Sequence, residues 1–329
     1  VAASVGVVKQ FIRESGSQVG IVKKILLFLN LGLGMLQSQE QFTKNMTNPI
    51  GTEKQHTSKE DISWLEPPRL RWDVTILLIV MHLGALLAFV PSNFSIPALG
   101  VALFLHCLTV GVGISLGFHR LASHRSFKVP KALEYFFILC GTLAFQGGVK
   151  GWVGYHRMHH FYTDRQGDPH DASQGFWWSH VNWLMHTVPG RPLLPRFTQD
   201  IIADPFYRFC HQHYITLQVL LGVVLYALGG MPFVVWGIFV RLFVGTHATF
   251  FVNSACHKFG YRSFDTGDLS TNCWWVAFLT FGEGWHNNHH ACQSSARFQS
   301  KWWELDPVWL TIRLLEKLGI ATQVKTNLS

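Results

Sequence analysis

The sequence predicts an all-α integral membrane protein with four transmembrane helices in two hairpins and a cytoplasmic helical cap that carries clusters of histidine. Three observations predict it. Hydrophobic residues make up 48% of the 329 and charged residues only 14%, with a mean hydropathy of +0.19, a composition that suits a membrane chain. Two long apolar blocks each break once at a proline-containing turn, so each reads as a pair of spans. Histidines gather in short words just past the ends of these blocks.

In chain order, residues 1–63 read as a leader. The run from Val1 is basic, then apolar, and could mimic a signal peptide. A cleaved signal would send the next segment outward, against the charge bias. The segment is therefore expected to be an accessory extension, or translation upstream of a start at Met46, with residues 1–45 then not native. The first block runs "VTILLIVMHLGALLAFV" (74–90), breaks at "PSNFS" and resumes as "IPALGVALFLHCLTVGVGISLGF" (96–118). The segment "KALEYFFILCGTLAFQGG" (131–148) is apolar but interrupted, and a fifth span would divide the histidines between two sides. It is expected to lie in the interface. The second block runs "ITLQVLLGVVLYALGG" (215–230), breaks at "MP" and resumes as "FVVWGIFVRLFVGTHATFFV" (233–252). The membrane domain extends over 64–322, and 323–329 form a tail.

Orientation follows from Lys and Arg. The two hairpin turns contain neither, whereas 119–214 carries Arg120, Arg125, Lys128, Arg157 and Arg196 among others, and the C-terminal part adds Lys258, Arg297 and Lys301. By the positive-inside rule the termini and all histidine clusters face the cytoplasm. The net charge of +8 fits a basic surface against anionic lipid headgroups and calls for no nucleic acid. Trp177, Trp178, Trp274, Trp275, Trp302 and Trp303 suit interfacial belts. His106, His247 and Arg241 fall inside predicted spans, where buried hydrogen bonding or snorkelling is expected.

"GYHRMHHFYTD" and "GEGWHNNHH" share the word H-x-x-H-H: His156, His159, His160 and His286, His289, His290. On an α-helix these offsets share a face, so each triplet could aim its ring nitrogens at one point. "HRLASHRSF" adds His119 and His124, and "NSACH" adds Asn253 and His257 one turn apart. Nine imidazoles exceed the needs of one zinc ion and suit two metal ions with four or five each. The six cysteines form no C-x-x-C pair and read as small buried residues. Nitrogen-rich, sulfur-free coordination leaves iron, zinc, copper and nickel open. Near these words, Asp164, Asp168, His170, Asp171 and Glu283 are candidates to hold ligand imidazoles by hydrogen bonds.

The words "HRLASH", "HRMHH", "NSACH" and "HNNHH", in this order around two hairpins, with "DPHD" and "GFWWSHVNWL" beside them, resemble the membrane-bound fatty-acyl desaturases of the stearoyl-CoA desaturase type. The resemblance covers about residues 64–322 and is strongest to the bacterial, cyanobacterial and plant branch. It implies a di-iron centre that uses O2 to introduce a cis double bond, with delta-9 the expected position, into a saturated acyl chain. By this resemblance His119, His124, His156, His160 and His290 bind one iron. His159, His257, His286 and His289 bind the other, with Asn253 reaching it through water. Residues matching Gln146, Trp152 and Thr249 line the kink of the acyl tunnel in the family. Tunnel depth is expected to be set on the second span by Cys107 and Gly111, one turn apart and pointing the same way; helix packing by small residues is the competing reading.

The substrate is expected as an acyl-lipid or acyl-CoA, with membrane lipid around it. Electrons are expected from a separate protein, a ferredoxin or alternatively a small cytochrome. Two other classes remain open from the residues: a related di-iron hydroxylase, and a metal-binding or transport protein without chemistry. Transport would thread polar groups through the spans, whereas here the candidate ligands cluster at one surface.

Overall fold

The computed structural model describes residues 68–188 and 193–326. The expected leader with Met46 lies outside the described residues, as does the end of the tail. Nine principal helices carry the described chain: α1 (Trp72–Leu86), α2 (Ile96–His106, continuing as a π-helical segment Cys107–Ser123), α3 (Lys131–Leu143), α4 (Val149–Tyr162), α5 (Pro205–Val234), α6 (Arg241–Ser254), α7 (Trp274–Leu279), α8 (His286–Ala291) and α9 (Pro307–Lys317). Among the described residues pairing of extended chain is limited to isolated bridges, such as Lys128 with Thr322.

Among the described residues three helical runs are long and apolar enough to cross a membrane: Trp72–Phe89, Ile96–Ser123 and Pro205–His257. Their outward faces are apolar too. On α1, Ile76, Ile79, Leu83 and Leu86 are exposed while Leu78, Met81 and Gly84 are buried. In water the outward stripe of such a helix would be polar; a continuous apolar surface marks a lipid-facing one.

The third run contains both limbs of the second hairpin. Gly230, with φ +67° and ψ −156°, takes a conformation that glycine adopts at little cost. Beyond it Gly237 packs on Leu225 and Ile238 on Gly222. Residues 225 and 237 would stand about 18 Å apart along a straight helix, so the chain has doubled back. The preceding limb begins earlier than its apolar residues suggest, because Asp204 accepts hydrogen bonds from the Phe206 and Tyr207 amides and Pro205 occupies the first helical position. The second span also overruns its apolar text: the helix continues through His119 and Arg120 to Ser123.

The segment 131–148 forms α3, whose 13 residues are too few to span a bilayer. It lies along the π-helical part of α2 with backbones nearly touching. A Cβ on Gly113 would meet the Gly141 nitrogen at 2.3 Å, and one on Gly117 would meet the Phe137 carbonyl at 2.8 Å. Gly113→Ala is therefore expected to cost about 1–3 kcal/mol, the usual penalty for overpacking. Gly100→Ala, whose Cβ meets nothing within 4 Å, is the control. Thermal unfolding of the two purified variants checks this, and equal stability would refute it.

The three ionisable groups expected inside the spans, Arg241, His247 and His106, are hydrogen-bonded. Arg241 donates to the carbonyls of Gly237 and Leu143 and to Thr109 Oγ1. His247 links His82 and His180 at 3.0 Å on each side, and His106 Nε2 lies 3.1 Å from the Leu279 carbonyl oxygen. Cys140, Cys210, Cys256 and Cys273 are buried as expected, but Cys292 is half-buried and Cys107 exposed. Gly111, by contrast, is buried, and a Cβ there would press on the Phe281 ring at 3.2 Å. Cys107 and Gly111 therefore do not share a lining. The π-helical winding that starts at Cys107 closes i→i+5 hydrogen bonds, so the i,i+4 rule of an α-helix does not carry across it.

Candidate metal centre

The nine histidines arrive from four places in the fold. His119 and His124 end the π-helical part of α2, the "HRMHH" triplet lies on α4, His257 closes the turn after α6, and the "HNNHH" triplet lies on α8. They gather into two groups: His119, His124, His156, His160 and His289 in one, His159, His257, His286 and His290 in the other. Within each group one ring nitrogen per residue lies within 4.8 Å of every other.

This grouping corrects two expectations. The H-x-x-H-H triplets do not aim at one point; in each, the first and last histidines join one group and the middle one joins the other. Accordingly His289 stands with the five and His290 with the four, the reverse of the partition implied by resemblance. The cause is helical geometry: neighbours in sequence point about 100° apart, so the roll of the short helix α8 decides which of the two meets which group.

That roll is fixed by amides. The Asn272 side-chain oxygen accepts from the backbone amides of Asn287 and Asn288, at the buried start of α8. Asn287 Oδ1 accepts from the Ser263 and Phe264 amides, and Asn288 Nδ2 donates to Glu304 and to the Phe298 carbonyl. The two asparagines inside "HNNHH" are thus the anchors of the histidines around them, a role the sequence reading missed.

The donor set fits metal. His159 holds Asp168 through Nδ1 at 2.8 Å, and His290 holds Asp268 through Nδ1 at 2.9 Å. Each neutral ring then carries its proton on Nδ1, and the two bare Nε2 atoms face each other at 3.3 Å. Two lone pairs in that position repel, and a cation between them satisfies both. His257 repeats the pattern, with Nδ1 at 3.2 Å from Asp164 and Nε2 at 3.1 Å from His286 Nε2. In the other group the Nε2 atoms run His119, His289, His160, His156, His124 in contacts of 3.1, 2.9, 3.0 and 2.7 Å.

Burial, and then the proximity of the other rings, pushes His124, His156, His159, His160, His286 and His289 well below the ordinary imidazole range. Burial likewise lowers His290 against the pull of Asp268. Neutral imidazole is the ligating form. No cysteine belongs to either group.

Four carboxylates orient the rings. Burial opposes ionisation of Asp164 and Asp268, but hydrogen bonds from His257 and His290 outweigh it and hold both well below the usual carboxylate range. Asp168, almost fully enclosed between His159 and His170, is raised by that enclosure. Glu283 receives His119 Nδ1 and Ser115 Oγ and contacts Arg120; together they lower it despite burial. His170 packs on His159 with ring centres 4.2 Å apart, and burial pushes it down to about 3.

Of the candidates for this supporting role, His170 packs on a ligand ring without a hydrogen bond to it, and Asp171 is elsewhere. Its carboxylate accepts from Ser173 N and Gln174 Nε2, capping a short turn, because its side chain follows the turn geometry of the "DAS" stretch. Asp268, which sequence reasoning passed over, takes the place expected of it. The readable signal was an acid in "TGDLST", a word of turn residues in a charge-poor chain. Asp268→Asn keeps the shape but loses the charge that fixes His290, and is expected to lower activity or metal affinity about 10–100-fold. Metal content and turnover of the purified variant check this; wild-type values for both would refute it.

Asn253 lies on α6, four residues before His257. Gln146, Trp152 and Thr249 form one hydrogen-bonded chain: Trp152 Nε1 donates to Gln146 Oε1 at 3.3 Å, and Gln146 Nε2 donates to Thr249 Oγ1 at 2.9 Å. Trp152 stacks on His156, ring centres 5.3 Å apart, and lies 6.1 Å from His119. The chain therefore abuts the five-histidine group.

Comparison with known proteins points the same way. The family model described as fatty acid desaturase matches residues 95–321. The chain is 57% identical over 258 residues to the sn-1 stearoyl-lipid 9-desaturase of Anabaena variabilis, covering 78% of this chain and 95% of that protein. It is 58% identical over 254 residues to the protein of the same name from Synechocystis sp., covering 77% and 80%. To the chloroplastic palmitoyl-monogalactosyldiacylglycerol delta-7 desaturase of Arabidopsis thaliana it is 47% identical over 271 residues, covering 81% and 72%.

Proposed function

The chain belongs to the fatty acid desaturase family, and on that premise we propose that it is a multi-pass membrane enzyme that introduces a cis double bond at carbon 9 of a saturated acyl chain carried on a glycerolipid. Two iron ions held by the two histidine groups would activate O2 for attack on an unactivated methylene pair. The observation that carries this reading is the meeting of nine imidazoles in adjoining groups of five and four beside the Gln146–Trp152–Thr249 chain.

This chain's own residues supply geometry. Asp168, Asp268, Asp164 and Glu283 hold Nδ1 of four ligands so that Nε2 faces inward. Trp152, fixed by Gln146, would set the bend of the acyl chain beside His119 and His156, so that one methylene pair is presented. Gly111, buried under Phe281, would bound the far end. Asn253 would act through water near His257. Removing two hydrogens while O2 becomes two waters requires two further electrons and two protons, and a separate one-electron carrier, ferredoxin or a small cytochrome, would deliver the electrons.

The three apolar runs together with the reversal at Gly230 support a reading of four spans. The distribution of Lys and Arg supports a cytoplasmic metal centre and termini. The acyl-lipid form is favoured over acyl-CoA because the relatives at 57% and 58% identity are named stearoyl-lipid 9-desaturases, whereas the acyl-CoA C20 Delta5-desaturase of Anemone leveillei is 43% identical.

The test is expression in a host lacking its own delta-9 desaturase, followed by positional analysis of its lipids. A new monounsaturated chain, with the double bond at carbon 9 of a lipid-bound acyl group, is expected. A hydroxylated chain would assign the hydroxylase chemistry instead, and an unchanged profile would overturn the reading.

A further inference from the structure

Beside the five-histidine group a cleft of about 620 Å³ opens on the surface, with Arg125, Arg157, Arg196, Lys325, Asp200 and His124 among its walls. Four cations against one carboxylate leave it strongly positive. Its charges do unequal work. Arg157 is a strut: it donates to the carbonyls of Ala122, Ser123 and Phe197 and grips Asp200 through two nitrogens. Arg125 also holds Asp200, at 2.6 Å, with its side chain 64% exposed. Arg196 and Lys325 are exposed cleft residues, and among the described residues neither is paired with a carboxylate.

His124 joins this cleft to the metal centre. Its half-buried ring forms part of the cleft wall, and its Nε2 lies 2.7 Å from His156 Nε2 within the five-histidine group. The Gln146–Trp152–Thr249 chain meets the same group elsewhere, through His156 and His119. The cleft is thus a second approach to the centre, separate from the one proposed for the acyl chain.

We propose that this cleft is the docking surface for an acidic one-electron carrier protein, with His124 as the point of electron entry. The inference rests on the desaturase reading, whose stoichiometry requires two electrons from outside: two reduced carriers are each oxidised by one electron, and these electrons, two solvent protons and the two substrate hydrogens reduce O2 to two waters. A protein partner suits the walls better than a small phosphate ligand. Asp200 ties up the guanidinium groups of Arg125 and Arg157 that would clasp a phosphate, while the unpaired cations Arg196 and Lys325 are exposed. Exposed charges of this kind steer association and make it salt-dependent.

The test uses the full-length, iron-loaded enzyme in lipid nanodiscs with O2 and acyl-lipid. One arm is driven by reduced ferredoxin or a reduced acidic cytochrome, the other by dithionite-reduced methyl viologen. The Arg196→Glu/Lys325→Glu double variant should raise the KM for the protein donor about tenfold or more and lose most of the salt dependence of that KM. Viologen-driven turnover and the KM for acyl-lipid should stay unchanged, and Arg196→Lys/Lys325→Arg should behave as wild type. An unchanged KM for the protein donor overturns the proposal. So does a raised KM for acyl-lipid in the viologen arm, which would make the cleft a headgroup site. Wild-type enzyme driven by viologen but by neither protein donor also overturns it. Wild-type enzyme inactive in both arms overturns the desaturase reading, and the proposal with it.

Discussion

Replacing His159 or His289 with alanine is expected to abolish desaturation and to remove bound metal while leaving membrane insertion intact. Each is at most 1% exposed, and each stands in a different group. Loss of an outer residue that merely orients a ligand costs about 10–100-fold in such sites, so loss of a ligand should exceed that and bring turnover below detection. The grouping adds a finer expectation. His290→Ala should resemble His159→Ala in which metal is lost, and His289→Ala should resemble His119→Ala, despite the adjacency of 289 and 290. Metal analysis and iron spectroscopy on the four purified variants read this directly. Full unsaturated-lipid production by metal-quantified His159→Ala or His289→Ala would defeat the di-iron assignment. Paired behaviour of His290 with His119 would restore the partition implied by resemblance.

Arg120→Met is expected to be the most damaging change outside the ligands. Arg120 is fully buried, and its guanidinium contacts Asp306 at 3.0 Å, Glu283 at 3.3 Å and the Ala296 carbonyl at 2.8 Å. It lies 3.8 Å from the centre of the Phe298 ring, which in turn packs on His289 at 4.3 Å. Methionine fills much of the volume but leaves two buried carboxylates without their cation, a loss of about 3–5 kcal/mol for a broken buried pair. Glu283 then no longer fixes His119, so metal binding should weaken alongside stability. Arg120→Lys keeps the charge but not the fork and should fall between. Thermal unfolding and metal content of both variants check this; a methionine variant with wild-type values for both would remove Arg120 from the centre's support.

What the sequence by itself determined were the features written in local pattern. Apolar runs located the helices around 74–90, 96–118 and 215–252, since burial in lipid demands length and hydrophobicity and little else. The histidine words named the nine residues that meet, because no other chemistry explains such density. Family resemblance named Gln146, Trp152 and Thr249, which the structure finds bonded to one another. The tertiary structure decided relations between segments distant in the chain. The roll of α8, set by Asn272 from a separate loop, sends His289 and His290 to different groups. Asp268 reaches His290, and Arg120 bridges Glu283 and Asp306 across more than 160 residues. The π-helical winding after His106 parts Cys107 from Gly111, which an ideal helix would have aligned. Periodicity fixes a side chain's direction only relative to its own helix axis. Where that axis lies, and how it is rolled against its neighbours, depends on packing and buried hydrogen bonds formed only when the whole chain has folded.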